Sequence, residues 1–267
     1  MLHYNFYQSK RETNQLLVLL HGFISDSRTF DAHVDPLLQE VNVLTVDLPG
    51  HGQDQSSMDV TWDFPFLAKQ LDELLDMYES YKVTLLGYSM GGRVALYYAL
   101  YGKHTINKLI LESSSPGIKE ENNRYERQQI DASRAKVLEI AGLEVFVNDW
   151  EKLPLFYTQQ HLDKAQKTAM RDMRMAQDPY KLAKALRDYG TGHMPNLWDQ
   201  ISRIQIPCFI LTGELDQKFV KTGQAMNKDM RYSQVHTFSN VGHTIHVEDK
   251  TEFDTIVLGF LKEEQND

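Results

Sequence analysis

An α/β fold with a mostly parallel central sheet, interrupted by a helical insertion, is the class this sequence predicts. Short apolar runs recur with helix-period segments between them, the pattern of parallel strands joined by crossover helices. One run, Leu16-Leu17-Val18-Leu19-Leu20, is apolar at every position, as a strand buried on both faces must be. A stretch from about Ile118 to Pro195 is charged and helix-forming without a convincing strand, and the strand pattern resumes at Ile206. The chain therefore divides into a first core segment over 1–117, a helical insertion over 118–195 and a second core segment over 196–267.

Met1 to Tyr7 alternates like a strand and lacks the basic start and apolar stretch of a secretory signal, so a cytoplasmic protein is expected. Leu16 to Leu20 delivers His21-Gly22-Phe23 at its end, where Gly22 permits close backbone approach. Val41 to Val46 ends in the loop Asp47-Leu48-Pro49-Gly50-His51-Gly52, placed to shape the site from behind. Leu67, Leu71, Leu74, Leu75 and Tyr78 recur at helical spacing across Phe66 to Tyr81. Lys82 to Leu86 forms the next strand, and Arg93-Val94-Ala95-Leu96 opens a helix just beyond it. Leu109-Ile110-Leu111 is a strand before the insertion, and Ile206 to Gly213 and Val235 to Phe238 are strands after it. The acidic end, Lys262 to Asp267, reads as a solvated, fraying helix terminus.

The junction Gly87-Tyr88-Ser89-Met90-Gly91 has the G-x-S-x-G form of a nucleophile elbow, in which flanking glycines let a serine sit on a strained strand-to-helix turn. Ser89 is the reactive candidate. Glu214 and Asp216 follow the strand that ends at Gly213, and Asn240-Val241-Gly242 leads into His243. His243 is the general-base candidate, and Asp216, further from the strand end than Glu214, is the preferred acid to orient it. Serine, acid, histidine is the chain order of the α/β-hydrolases. The amides of Phe23 and Met90 are the matching oxyanion donors. His246 lies near His243, but the Asn-Val-Gly before them argues for a loop, and there is no HExxH pattern or cysteine cluster, so no metal site is expected.

Composition limits the partners. No apolar run approaches the roughly 20 residues that span a bilayer. A formal net charge of -9 opposes attraction to nucleic acid and anionic membranes, so neither is an expected partner. The lone cysteine, Cys208, lies in a predicted buried strand and packs there. A monomer is expected, although no sequence feature sets the oligomeric state.

Cations near the elbow are the clue beyond generic hydrolysis. Arg93 lies one helical turn after Ser89, so its guanidinium either pairs with a protein carboxylate or awaits an anionic ligand. The insertion adds Arg124, Arg127 and Arg134, then Arg171 and Arg174. Arginines converging on a pocket would fix a small polycarboxylate bidentately. Tyr88 and Trp150 can supply apolar walls with polar tips, and core packing is the other reading of Trp150.

Gly87-Tyr88-Ser89-Met90-Gly91-Gly92-Arg93, Pro116-Gly117, the Arg124/Arg127 cluster, Asp149-Trp150 and Arg174 together resemble one family of the α/β-hydrolase superfamily. It is the menaquinone-pathway lyase family, the 2-succinyl-6-hydroxy-2,4-cyclohexadiene-1-carboxylate synthases. The resemblance runs over nearly the whole chain. It implies an α/β-hydrolase fold, no cofactor, and elimination of pyruvate from an enolpyruvyl ether rather than hydrolysis. It further implies that Ser89, His243 and Asp216 abstract a proton, that the Phe23 and Met90 amides stabilise an enolate, and that Arg93, Arg127 and Arg174 hold carboxylates. Arg127 is the preferred match for the middle arginine, and Arg124 is the alternate. The same triad would serve a serine hydrolase of a carboxylate-bearing ester, thioester or carbon-carbon bond. A ligand-binding relative without activity is the remaining alternative.

Overall fold

The computed structural model describes residues 2–263. Met1 and the end of the acidic terminus, 264–267, lie outside them. The strands are β1 (His3–Tyr7), β2 (Gln15–Leu20), β3 (Asn42–Asp47), β4 (Lys82–Tyr88), β5 (Lys108–Glu112), β6 (Cys208–Gly213) and β7 (Ser233–Phe238). They form one sheet in the order β1-β3-β2-β4-β5-β6-β7. Only β1 runs antiparallel, against β3, and every other pairing is parallel.

The helices are α1 (Asp31–Leu37), α2 (Phe64–Leu75), α3 (Met90–Tyr101), α4 (Glu121–Ile140), α5 (Leu143–Trp150), α6 (Lys164–Met175), α7 (Pro179–Tyr189), α8 (Gln217–Asp229), α9 (Ile245–Glu248) and α10 (Lys250–Lys262). Alternation along β2 shows why both sheet faces need cover. Leu16, Val18 and Leu20 join a core with Leu67 and Leu71 of α2, Val94 and Ala95 of α3, and Met226 of α8. Leu17 and Leu19 point the other way, into a core with Val34 and Leu37 of α1 and Phe253, Val257 and Phe260 of α10. The result is three layers, helix on sheet on helix.

The chain between β5 and β6 builds α4 to α7, with a 3₁₀ segment over Pro154–His161. These helices have their own apolar centre, where Ala135, Leu138, Phe146, Val147, Leu182 and Leu186 meet Ile24 of the β2 exit loop. The same cluster packs against Phe23, one of the predicted oxyanion residues. The predicted helix over Phe66 to Tyr81 is shorter than its periodicity suggests. It begins at Phe64 behind the Asp63 cap, whose side chain accepts from the Phe66 amide at 2.9 Å, and tightens to a 3₁₀ turn over Asp76–Tyr78. Cys208 is a buried strand residue, and burial pushes its thiol pKa up, away from the reactive thiolate. No helix among the described residues is long and apolar enough to cross a membrane.

Candidate active site

Ser89 sits between β4 and α3 with φ 50 and ψ -102, a left-handed backbone that a serine adopts only under constraint. Its amide donates to the Glu112 carbonyl of β5 at 2.8 Å, and its carbonyl accepts from Arg93 N at 3.1 Å. The flanking glycines make the turn possible. A Cβ on Gly87 would collide with the Gly91 carbonyl, and one on Gly91 would collide with that of Leu20.

The His243 ring lies within reach of both predicted partners. Nδ1 donates to Asp216 Oδ2 at 2.7 Å, since a carboxylate can only accept, and this leaves Nε2 to accept from the Ser89 hydroxyl at 3.1 Å. Asp216 also caps α8, where its Oδ1 accepts from Phe219 N at 3.4 Å. Glu214 has a different task, accepting the Asn240 amide at 2.9 Å and so pinning the turn before His243. The Tyr88, Phe156 and Phe219 rings pack around His243, with centroids 5.5, 6.0 and 4.8 Å away.

His246 does not share a metal position with His243. Its Nδ1 bonds Glu112 Oε1 at 2.8 Å and its Nε2 bonds Thr29 Oγ1 at 2.8 Å, while the backbone amide of His246 donates to the same Glu112 oxygen at 3.1 Å. Glu112 thereby ties the base loop by its side chain and the serine turn by its carbonyl.

Phe23 and Met90, the predicted oxyanion donors, both line the cavity at Ser89. Leu48 N donates to His21 Nε2 at 3.0 Å, so His21 Nδ1 must carry the proton and donate to the Gly22 carbonyl at 2.7 Å. In a trans peptide the carbonyl and the following N–H point in opposite directions, so holding the Gly22 oxygen turns the Phe23 N–H away from His21. Burial keeps the His21 pKa below its usual value, preserving the neutral ring this arrangement needs. Ile24, just beyond, has φ 57, which is strained for a β-branched residue. Among the described residues, neither the Phe23 nor the Met90 amide is engaged by a protein acceptor. The Asp47 to Gly52 loop does not line the pocket. It reaches it indirectly, through the His51 ring 5.4 Å from that of Phe23.

Ser89, Met90, Phe23 and His243 open on a cavity of about 390 Å³, with Tyr88 and Trp150 among its walls. Tyr88 sends its hydroxyl to Thr244 Oγ1 at 2.8 Å. Trp150 fulfils both of its readings, since it faces the cavity while stacking on Phe146 with centroids 5.6 Å apart. Arg93, Arg127, Arg134 and Lys218 line the cavity, and among the described residues no carboxylate does.

Arg93 of α3 is the cation nearest in sequence to Ser89 among those lining the cavity. It is buried, donates weakly to the Tyr189 carbonyl at 3.4 Å, and forms no ion pair among the described residues. Burial first, then the charge of Arg127, lowers its pKa to about 10, against the opposing pull of Asp131. Arg127 binds Asp131 through Nε at 2.8 Å, which leaves the other guanidinium nitrogens free of that bond. Arg134 lies 3.9 Å from the same carboxylate and 5.4 Å from the centre of the Trp150 ring. Arg124, by contrast, does not reach the cavity.

Nor does Arg174 line the cavity that holds Ser89. It donates to Glu151 Oε1 and Gln159 Oε1, both at 3.0 Å, and borders an adjoining hollow of about 800 Å³ that shares Leu153, Pro154 and Phe156 with that cavity. A smaller hollow places Arg174 beside Phe23, Tyr88 and Trp150, but its guanidinium is held by Glu151 and Gln159. The reason is long-range pairing between α6 and the end of α5. Lys218 is the pocket cation that sequence reasoning did not single out.

A family model described as alpha/beta hydrolase fold matches residues 15–250. A 2-succinyl-6-hydroxy-2,4-cyclohexadiene-1-carboxylate synthase of Yersinia pestis bv. Antiqua (strain Nepal516) is 30% identical over 92% of this chain and 87% of its own. A protein of Bacillus subtilis (strain 168), provisionally named as the same synthase, is 33% identical over 93% of this chain and 90% of its own. The chain belongs to this synthase family, within the α/β-hydrolase fold. Among solved structures, MenH from S. aureus is 57% identical, with a TM-score of 0.98 and full coverage of both chains. An esterase from Thermogutta terrifontis, with malate bound, is 21% identical with a TM-score of 0.84 and shares the fold.

Proposed function

We propose that this family member is a lyase that eliminates pyruvate from 2-succinyl-5-enolpyruvyl-6-hydroxy-3-cyclohexene-1-carboxylate, giving 2-succinyl-6-hydroxy-2,4-cyclohexadiene-1-carboxylate for menaquinone biosynthesis. One observation carries the substrate class. In a chain of net charge -9, the cavity at Ser89 gathers four cationic side chains and, among the described residues, no carboxylate. A desolvated arginine such as Arg93, which forms no ion pair among the described residues, is suited to receive an anionic group.

The geometry supports a stepwise route. Asp216 holds His243 so that Nε2 can take the Ser89 proton, and the Ser89 oxygen then removes the ring proton beside the succinyl carbonyl. The electrons pass to that carbonyl oxygen, where the Phe23 and Met90 amides stabilise the enolate. As the enolate collapses, the ring double bond shifts, the carbon-oxygen bond to enolpyruvate breaks, and the cyclohexadiene forms. Enolpyruvate takes back the proton held on His243 and ketonises to pyruvate, so protons balance. The Tyr88, Phe156 and Phe219 rings keep water from the base and protect this path.

The test is pyruvate release by wild type and Ser89→Ala, run beside an aryl ester. The reading expects rapid release, a loss of about 10³-fold or more in the variant, and negligible ester cleavage. Ester turnover without pyruvate would instead make the protein a serine hydrolase.

A further inference from the structure

Lys218 occupies a position that is unfavourable for a lysine in the free protein. It lies in the first turn of α8, two residues after Asp216, and faces the cavity with Ser89, Arg127 and His243. A helix presents its positive end there, a place suited to acidic side chains. Arg127 adds a like charge. Although Lys218 keeps much of its surface in solvent, burial on the pocket side and then Arg127 lower its pKa, against the opposing pull of Asp216.

Asp216 compensates only in part. Asp216 is the nearest acid by sequence, but its Oδ2 is taken by His243 and its Oδ1 by the Phe219 amide. Lys218 forms no ion pair among the described residues, and its recorded contact is with the Phe219 ring, 5.4 Å from Nζ to the centroid. A cation placed against the helix dipole, beside another cation and without a counter-ion, is a local conflict of the kind that marks a functional site.

The proposed substrate brings three carboxylates, on its ring, its succinyl chain and its enolpyruvyl group. The cations that line the cavity at Ser89 and can meet them are Arg93, the Arg127/Arg134 pair and Lys218. We propose that Lys218 is a substrate-binding residue whose ammonium receives one of these carboxylates beside the His243 base. This rests on the polycarboxylate reading of the pocket. Substrate binding supplies the counter-charge that Asp216 gives only in part.

The experiment pairs kinetics with melting of Lys218→Gln and Lys218→Arg. For Lys218→Gln, kcat/KM for pyruvate release should fall about tenfold or more, mainly through KM, because a charge-assisted hydrogen bond is lost. Lys218→Arg should recover most of that loss. The free Lys218→Gln protein should melt about 1–3 °C higher than wild type, because a partly compensated cation has left a helix N-terminus. A merely structural lysine would do the reverse, lowering the melting temperature with kcat/KM within twofold of wild type, and that result overturns the proposal. If wild type releases no pyruvate, the functional reading is what fails. Lys218 is then judged by tricarballylate, which should raise the melting temperature of wild type but not of Lys218→Gln, whereas equal shifts overturn the assignment.

Discussion

Arg93 and Arg174 are equally buried, each 8% exposed, yet they sit in opposite electrostatic situations. Arg174 has Glu151 on one nitrogen, Gln159 on another and the Phe156 ring 5.7 Å away. Arg93 has one long bond to a carbonyl and a neighbouring cation. Burial of a guanidinium is tolerated only when something balances it, and Asp131 offsets the charge of Arg93 without pairing with it. In the proposed function one arginine is architecture and the other is a receptor.

Arg93→Ala sharpens this contrast most. Losing charge-assisted hydrogen bonds worth about 1.5–3 kcal/mol should lower kcat/KM by about 10- to 100-fold. The free protein should be no less stable, because no ion pair is broken. Steady-state kinetics together with urea unfolding read both halves. A variant that unfolds more easily and retains full kcat/KM would place Arg93 with the structural arginines.

Arg174→Ala should behave in the opposite sense. It leaves Glu151 paired with Arg171 alone, at 2.7 Å, and that side chain keeps 28% of its surface exposed, so the loss in stability is discounted for solvent. We expect about 1–2 kcal/mol in unfolding free energy, with kcat/KM falling less than in Arg93→Ala. Equal kinetic losses in the two variants would mean that Glu151 releases Arg174 into the pocket when substrate binds, and the comparison would break.

What the sequence made legible follows the range of the interactions. The elbow, the strand ends and the order of Ser89, Asp216 and His243 rest on local chemistry, namely glycines at a tight turn and apolar runs of strand length. Arg93 was also readable, because one helical turn ties it to Ser89. The anchoring of Arg174 was not readable, because its partner, Glu151, lies on another element 23 residues away. The clamp by Glu112 on His246 spans 134 residues and has no local signature. Lys218 did have a signal, a cation in the first turn of a helix directly after the acid, but it reads as an ordinary solvated residue until the pocket is seen.

The contrast between partnered and unpartnered groups recurs in two buried histidines. His21 has both ring nitrogens engaged, whereas His51 Nε2 has no protein partner among the described residues. Burial first, then the neighbouring His21, holds the His51 pKa at about 3, against 6.5 for an ordinary histidine. Below about 6.5 the unfolded chain binds a proton that folded His51 refuses, so stability falls as pH drops toward about 3. The largest slope from one such group is about 1.4 kcal/mol per pH unit. His51→Gln should therefore flatten the acid limb of a stability profile measured by urea unfolding between neutral and mildly acidic pH. Parallel wild-type and variant profiles would remove His51 as a cause.

The smallest effect is expected at Arg124, and its smallness is informative. At about 100° per residue, Arg127 and Arg134 lie within about 20° of each other around α4, and Arg124 lies about 60° from Arg127 and a turn closer to the free end. The helix thus aims the later two into the cavity and leaves Arg124 half-exposed outside it. Removal of a surface cation without a partner should change stability by less than about 0.5 kcal/mol and kcat/KM by less than about twofold. If Arg124→Ala instead lost activity as Arg127→Ala should, α4 would have to rotate on its seat when substrate binds. That would shift Arg127 away from Asp131, so a matching change in the effect of Asp131→Asn would be required. A neutral Arg124→Ala fixes the pocket cations to the face of α4 seen here.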